Sequence, residues 1–257
     1  MERKQLSRAT RSRADILREK FTSGDPFSLD EAKTILNSNY QRASKTLSYL
    51  ADNGYVQNVR HRLWVRAGAS PNPYRLGARV TSPYAFAYGT ALSLYGAAAS
   101  QRFEILIASP RRFETFEFDE MQYRRVRPWP EGAMMKVSAG PEFIWATTPE
   151  RTLVDCVRVP KNAGGMPELL RGVSALGSLD SEQLLQWVDH FESTTLAARL
   201  GFVLEVADIK NQDARIFYEL EKRRPNSRVY LDRSMSGGKL VRRWNLIVPK
   251  QLIRSPR

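Results

Sequence analysis

Gln41, Arg42, Ser44 and Lys45 bring the most specific chemistry in this chain into one short stretch. They occupy outward positions of Tyr40–Asp52, where Ala43, Leu47 and Leu50 recur at i, i+4 and i+7 and so share the buried face of a helix. Glutamine and arginine side chains suit paired hydrogen bonds to adenine and guanine edges, whereas lysine and serine suit phosphate oxygens. Asn39 stands at the entrance to the same helix. Further on, Arg60-His61-Arg62 forms a cationic turn between two strand-like segments, 55–59 and 63–66. A helix presenting the first set to a major groove, with the turn reaching a neighbouring phosphate or the minor groove, would bind duplex DNA.

Such side chains need a scaffold, and the residues around them supply one. A first helix is expected over 12–21, with Ala14, Ile16, Leu17 and Phe21 as its apolar stripe. Ser28 with Glu31 three residues later forms a capping box for a second helix, in which Ala32, Ile35 and Leu36 face inward. Asn37-Ser38-Asn39 turns the chain into the third helix, and Gly54 ends it in the left-handed position. Three helices and a basic hairpin in this order read as a winged helix–turn–helix over 1–66. The bland alternative is a three-helix module whose charges only keep it in solution.

Charge is distributed unevenly. The 257 residues carry a formal +13, with 42% hydrophobic residues marking a folded chain. Residues 1–80 hold 15 basic and 7 acidic side chains, residues 81–210 hold 13 and 16, and residues 211–257 hold 12 and 4. Two basic modules thus flank a nearly neutral middle, a pattern suited to a polyanionic partner. Residues 1–13 read as a basic arm that can touch DNA or simply stay disordered. No stretch approaches the roughly 20 apolar residues of a spanning helix and no signal-peptide pattern opens the sequence, so no membrane role is expected. The lone Cys156 excludes an internal disulfide and a cysteine metal site and fits a reducing cytoplasm. The reading requires neither cofactor nor metal.

Residues 67–80, rich in Gly, Pro and small side chains, are expected to be a linker. A mixed α+β domain over 81–257 follows. Ser82-Pro83 would start a buried helix running to about Tyr95, by the logic of a cap followed by proline. Strands are expected at 104–108, 113–118, 122–126, 134–138 and 143–146. Thr148-Pro149 opens another helix, and helices follow at 166–175, 181–191, 194–205 and from 211 to about 222. A closing hairpin would pair 228–231 with 240–248, placing Trp244, Leu246 and Val248 on one face. Its other face, with Arg223, Arg224, Arg228, Arg233, Lys239, Arg242 and Arg243, would form a second basic surface, either solvated or for nucleic acid. Arg151 and Asp155, at i, i+4 beside Glu150, are expected to pair and brace helix against sheet, or to serve a contact with a partner or the other domain. Cys156 reads as a small core residue.

The order of these motifs resembles a known family. Ser82-Pro83 with Ala91-Leu92-Ser93-Leu94-Tyr95-Gly96, then Thr148-Pro149-Glu150-Arg151-Thr152-Leu153-Val154-Asp155, then Arg199-Leu200-Gly201 and Trp244-Asn245-Leu246-Ile247-Val248, is similar to AbiEi-type antitoxins of type IV toxin–antitoxin pairs. The resemblance spans nearly the whole chain. It implies a winged helix that binds inverted repeats in its own promoter and represses the operon. It also implies a second domain that counteracts a nucleotidyltransferase-like toxin without forming a stable complex. The family includes stand-alone regulators too, so a regulator with a ligand- or partner-sensing domain stays open.

A catalytic reading has less to stand on. The two histidines, His61 and His190, lie far from any Ser-His-Asp or Cys-His arrangement. Gly177-Ser178 followed by Asp189 faintly resembles a nucleotidyltransferase signature, but Phe191 stands where the second carboxylate of a metal pair is needed. A DNA-targeted nuclease or nucleotidyltransferase is therefore the rival class, and the expectation is that the protein is no enzyme.

Overall fold

The computed structural model describes residues 13, 15–17, 19–21, 24–127, 129–140, 142–207, 213–235 and 237–253. Most of the expected basic arm lies outside these residues. The chain is a mixed α and β protein and divides into two compact units, 1–84 with 109–125, and 85–108 with 126–257.

The first unit opens with helical turns at 13, 15–17 and 19–20, where Leu17 is buried and Ile16 is exposed. Phe21 then stacks on Phe27 at 4.2 Å. After the short strand β1 (Phe27–Ser28), helix α1 (Leu29–Ile35) begins with the expected reciprocal box. The Glu31 amide donates to Ser28 Oγ at 3.1 Å, and the Ser28 amide donates to Glu31 Oε2 at 2.7 Å. Helix α2 (Tyr40–Asp52) buries Ala43, Leu47 and Leu50 completely. It ends as expected: Gly54 has φ +72°, and the amides of Gly54 and Tyr55 bond back to the carbonyls of Ala51 and Leu50. Strands β2 (Val56–Arg60) and β3 (Leu63–Arg66) pair antiparallel, and β1 adds to β3.

The expected linker is a correction. Its second half is helix α3 (Pro73–Val80), with Leu76 fully buried. Asn72 Oδ1 accepts from the amides of Tyr74 and Arg75, and Pro73 sits at the first helical turn. This is the same cap-and-proline signal found elsewhere, hidden by the density of glycine and proline around it. Ion pairs Arg75–Asp25 and Arg79–Glu31, the latter at 2.7 Å, tie α3 into the unit. The boundary at residue 80 also fails as a clean cut, because 109–125 belongs to the first unit.

The second unit begins with another correction. No helix starts at Pro83; Ala85–Phe86 is strand β4, and helix α4 (Tyr88–Leu94) follows it. Ala85 and Phe86 pair with Ala108 and Ile107 of β5 (Glu104–Ala108), and both are fully buried, so sheet pairing overrides the proline signal. After β5 the chain returns to the first unit, where β6 (Phe116–Phe118) and β7 (Met121–Val126) form an antiparallel hairpin as expected but with a shorter first strand. Strands β8 (Met134–Ala139) and β9 (Glu142–Thr147) form a second hairpin, and β9 runs parallel to β4.

Helices α5 (Pro149–Arg158), α6 (Met166–Gly172), α7 (Ser181–His190), α8 (Thr194–Val206) and α9 (Ala214–Lys222) then build the core. The closing hairpin is corrected as well. Strand β10 (Val229–Tyr230) runs parallel, not antiparallel, to β12 (Leu246–Val248), and β11 (Lys239–Val241) pairs antiparallel with it. The expected long strand breaks at a turn, Arg242–Trp244, with Asn245 left-handed at φ +52°. Trp244, Leu246 and Val248 are all buried, but the turn rather than strand alternation aims the indole at α8. There a Cβ on Gly201 would lie 2.3 Å from the indole ring.

Arg151 and Asp155 do pair, Nε to Oδ2 at 2.9 Å, with side chains only 1% and 2% exposed. They brace helix against helix rather than helix against sheet. The Arg151 guanidinium lies over Trp187 and Phe191 at the end of α7, at 4.3 and 5.0 Å from the ring centroids. Removing one partner leaves a buried charge unpaired, so Asp155→Ala is expected to cost about 3–5 kcal/mol in urea unfolding. A loss below about 1 kcal/mol would mean that Arg151 finds another partner.

At the other end of the chain, Ser28→Ala is expected to cost about 0.5–2 kcal/mol by the same measurement. The Glu31 half of that box depends on pH. Burial pushes its carboxyl up, but the Ser28 amide and hydroxyl and the Arg79 guanidinium outweigh it and hold the group below its ordinary value. Its stabilisation is therefore complete above the unfolded carboxylate range and fades as pH falls through the folded value. Wild type and Glu31→Gln should accordingly converge in acid; a gap that widens there would contradict this.

Candidate nucleic-acid interface

The outward face of α2 and the β2–β3 turn open onto one groove of about 830 Å³. Gln41, Ser44 and Lys45 line it from the helix, His61 and Arg62 from the turn, and Leu29 and Tyr40 complete it. Helical spacing explains the grouping, because Gln41, Ser44 and Lys45 stand at i, i+3 and i+4. Ala43, Leu47 and Leu50 on the opposite side hold that face outward by their own burial.

The remaining expected contacts are placed differently. Arg42 is exposed on α2 but does not line the groove. Asn39 is the N-cap of α2, its Oδ1 accepting from the Arg42 amide at 2.9 Å, so the oxygen that could read a base already serves the helix. Arg60 is a correction. Instead of reaching outward with Arg62 it is half-buried, its guanidinium 5.4 and 5.2 Å from the ring centroids of Phe113 and Phe116. Burial draws its pKa below the ordinary arginine value. The irregular register between Asn58 and Arg60 accompanies this inward turn.

Three residues not expected from the sequence, Tyr40, Asp30 and Lys33, organise the groove. The Tyr40 ring has Lys33 Nζ 4.3 Å and the Arg62 guanidinium 5.4 Å from its centroid. Its hydroxyl donates to Asp30 Oδ1, and Arg62 Nη2 donates to Asp30 Oδ2 at 3.2 Å. The backbone adds a further tie, the Leu29 amide donating to the Arg62 carbonyl at 3.1 Å. Arg62 itself is left-handed, φ +62°. Asp30 and Lys33 stand at i, i+3 on α1, the only sequence signal that could have pointed to them.

The second basic surface is corrected in part. Arg223 pairs with Asp189 at 2.7 Å and Glu219 at 2.8 Å, and both hold its pKa above the ordinary arginine value. Arg224 donates to the carbonyls of Arg242 and Arg243 and approaches Glu221 at 3.6 Å. Arg243 pairs with Glu205 at 2.7 Å and Glu221 at 3.3 Å. Arg223 thus ties α9 to α7, while Arg224 and Arg243 fasten α8 and α9 to the turn before β12, instead of forming an open cationic face. Arg228, Arg233, Lys239 and Arg242 are exposed.

Among the described residues, no three His, Cys, Asp or Glu side chains gather as a metal site would require, and no helix is long and apolar enough to cross a membrane. Cys156 is fully buried, and burial with the neighbouring Asp155 charge pushes its thiol well up, which suits a core residue rather than a nucleophile.

No family model matches the chain, and no curated protein matches it. Among solved structures, the crystal structure of the RV2827C protein from Mycobacterium tuberculosis is similar to it with a TM-score of 0.68. That likeness covers 96% of this chain and 93% of the other at 15% identity, and so concerns the fold.

Proposed function

We propose that the first unit is a winged helix–turn–helix that binds duplex DNA, and that the protein is a sequence-specific transcriptional repressor of its own operon. The observation that carries this reading is the shared groove. Base-reading and phosphate-binding side chains of α2 open onto the same concavity as the cationic turn. In this reading α2 enters the major groove, Gln41 meets a base edge, and Ser44, Lys45 and Arg62 meet phosphates. The formal charge of +13 supports a salt-dependent association driven by counterion release. Antitoxin action against a nucleotidyltransferase-like toxin is the second half of the proposal. It rests on the motif order in the second unit, and rescue of growth on co-expression with such a toxin tests it.

Binding of the full chain to an operator selected from random duplexes separates the roles. Gln41→Ala should cost about 1–3 kcal/mol on the operator and little on random duplex. Arg62→Ala and Lys45→Ala should weaken both duplexes alike, each lowering the salt slope by about 0.9. Arg60→Ala should act through lost packing on Phe113 and Phe116, lowering the melting temperature with the slope retained. Equal losses for Gln41→Ala on both duplexes would remove its reading role, and a salt slope near zero in the wild type would overturn the DNA proposal.

A further inference from the structure

We propose that Asp30 is an anionic latch on the groove, holding the turn cation Arg62 until a DNA phosphate displaces it; this rests on the DNA reading above. The carboxylate engages both sides of the groove mouth at once. One oxygen accepts from Arg62 at 3.2 Å, the other from the Tyr40 hydroxyl, and Arg62 lies on the Tyr40 ring. Asp30 and Arg62 are about half exposed, at 55% and 47%, so an incoming phosphate can reach the pair.

Local folding does not require this carboxylate. The N-terminus of α1 is already capped by Ser28 and Glu31, and Glu31 has its own partner in Arg79. The turn is already tied to α1 by the Leu29 amide on the Arg62 carbonyl. An exposed ion pair adds little to stability. At a phosphate-binding surface the same pair has a larger consequence, because the duplex must break it and then lies beside an uncompensated carboxylate. The cost falls on every duplex alike. The latch therefore weakens sequence-independent association and leaves discrimination to the base contacts of α2.

The test compares wild type, Asp30→Asn, Arg62→Ala and the double variant as full chains, on the selected operator and on random duplex across a salt series. Asp30→Asn should bind both duplexes about 2- to 5-fold more tightly, the range that an exposed ion pair represents. Its salt slope should steepen by less than the roughly 0.9 of a whole phosphate contact, because Arg62 already meets a phosphate in the wild type and only the competing carboxylate is removed. In the Arg62→Ala background most of that gain should vanish. Equal or weaker binding by Asp30→Asn, in a wild type that does bind DNA, would overturn the latch and leave the DNA reading standing. A gain that persists undiminished without Arg62 would show a general charge effect and also overturn the latch. A wild type that binds no duplex at any salt would overturn both.

Discussion

Arg151 and Asp155 have been withdrawn from water almost completely, and the helices of the second unit are arranged around that cost. Burying two charges is unfavourable by several kcal/mol per ion unless geometry and neighbours compensate. Compensation comes from three directions. Asp155 accepts from Arg151 within α5, the rings of Trp187 and Phe191 cover the guanidinium from α7, and Arg158 approaches the second carboxylate oxygen at 3.8 Å. Arg158 also lies over Phe191 and donates to the Tyr88 hydroxyl, which donates in turn to the Arg127 carbonyl. Burial and the nearby Asp155 push that hydroxyl up to about 12, so it remains a donor across the neutral range. The buried pair and its neighbour Arg158 thus tie α4, α5 and α7 together.

The first unit solves a different problem. Its groove presents Lys45 and Arg62 to solvent, and cations on long side chains are entropically loose. Three devices restrain them. The Tyr40 ring carries Lys33 and Arg62, the Leu29 amide fastens the turn, and the fully buried Ala43, Leu47 and Leu50 fix the rotation of α2. Glu31 joins the network from beneath by closing the α1 cap and holding Arg79 of α3. The cations of the groove are therefore positioned both by Tyr40 and Leu29 in its own lining and by buried residues beneath it.

Much of this was legible in the sequence where one local signal decides the outcome. The Ser28–Glu31 box, the Leu47 face of α2, its end at Gly54 and the Thr148-Pro149 start of α5 all appear at the positions their residues imply. Gln41, Ser44, Lys45, His61 and Arg62 likewise converge on one groove. Failures came where distant pairing overrides a local cue. Ser82-Pro83 looks like a helix start, yet Ala85 and Phe86 are claimed by strand partners more than 20 residues away in sequence. Arg60 and Arg62 are alike in sequence, and only the folded chain shows that Phe113 and Phe116 take the first and leave the second outside. Asp30 was missed because a first-turn acid is so well explained by the helix dipole that nothing singles it out.

Net charge is thus a poor guide to which cations are available. The residues from 211 onward are as basic in total as the first 80, but Arg223, Arg224 and Arg243 spend their charge on Asp189, Glu205, Glu219, Glu221 and backbone carbonyls. In the first unit Arg75, Arg79 and Arg62 are similarly engaged, whereas Lys45 is exposed beside Gln41 in the groove. The difference between the two basic ends lies in what surrounds the cations. At one end carboxylates from three helices close on the arginines and turn them into fasteners. At the other a single exposed carboxylate, Asp30, contacts Arg62, and a contact of that kind can be exchanged for a phosphate at little cost to the fold.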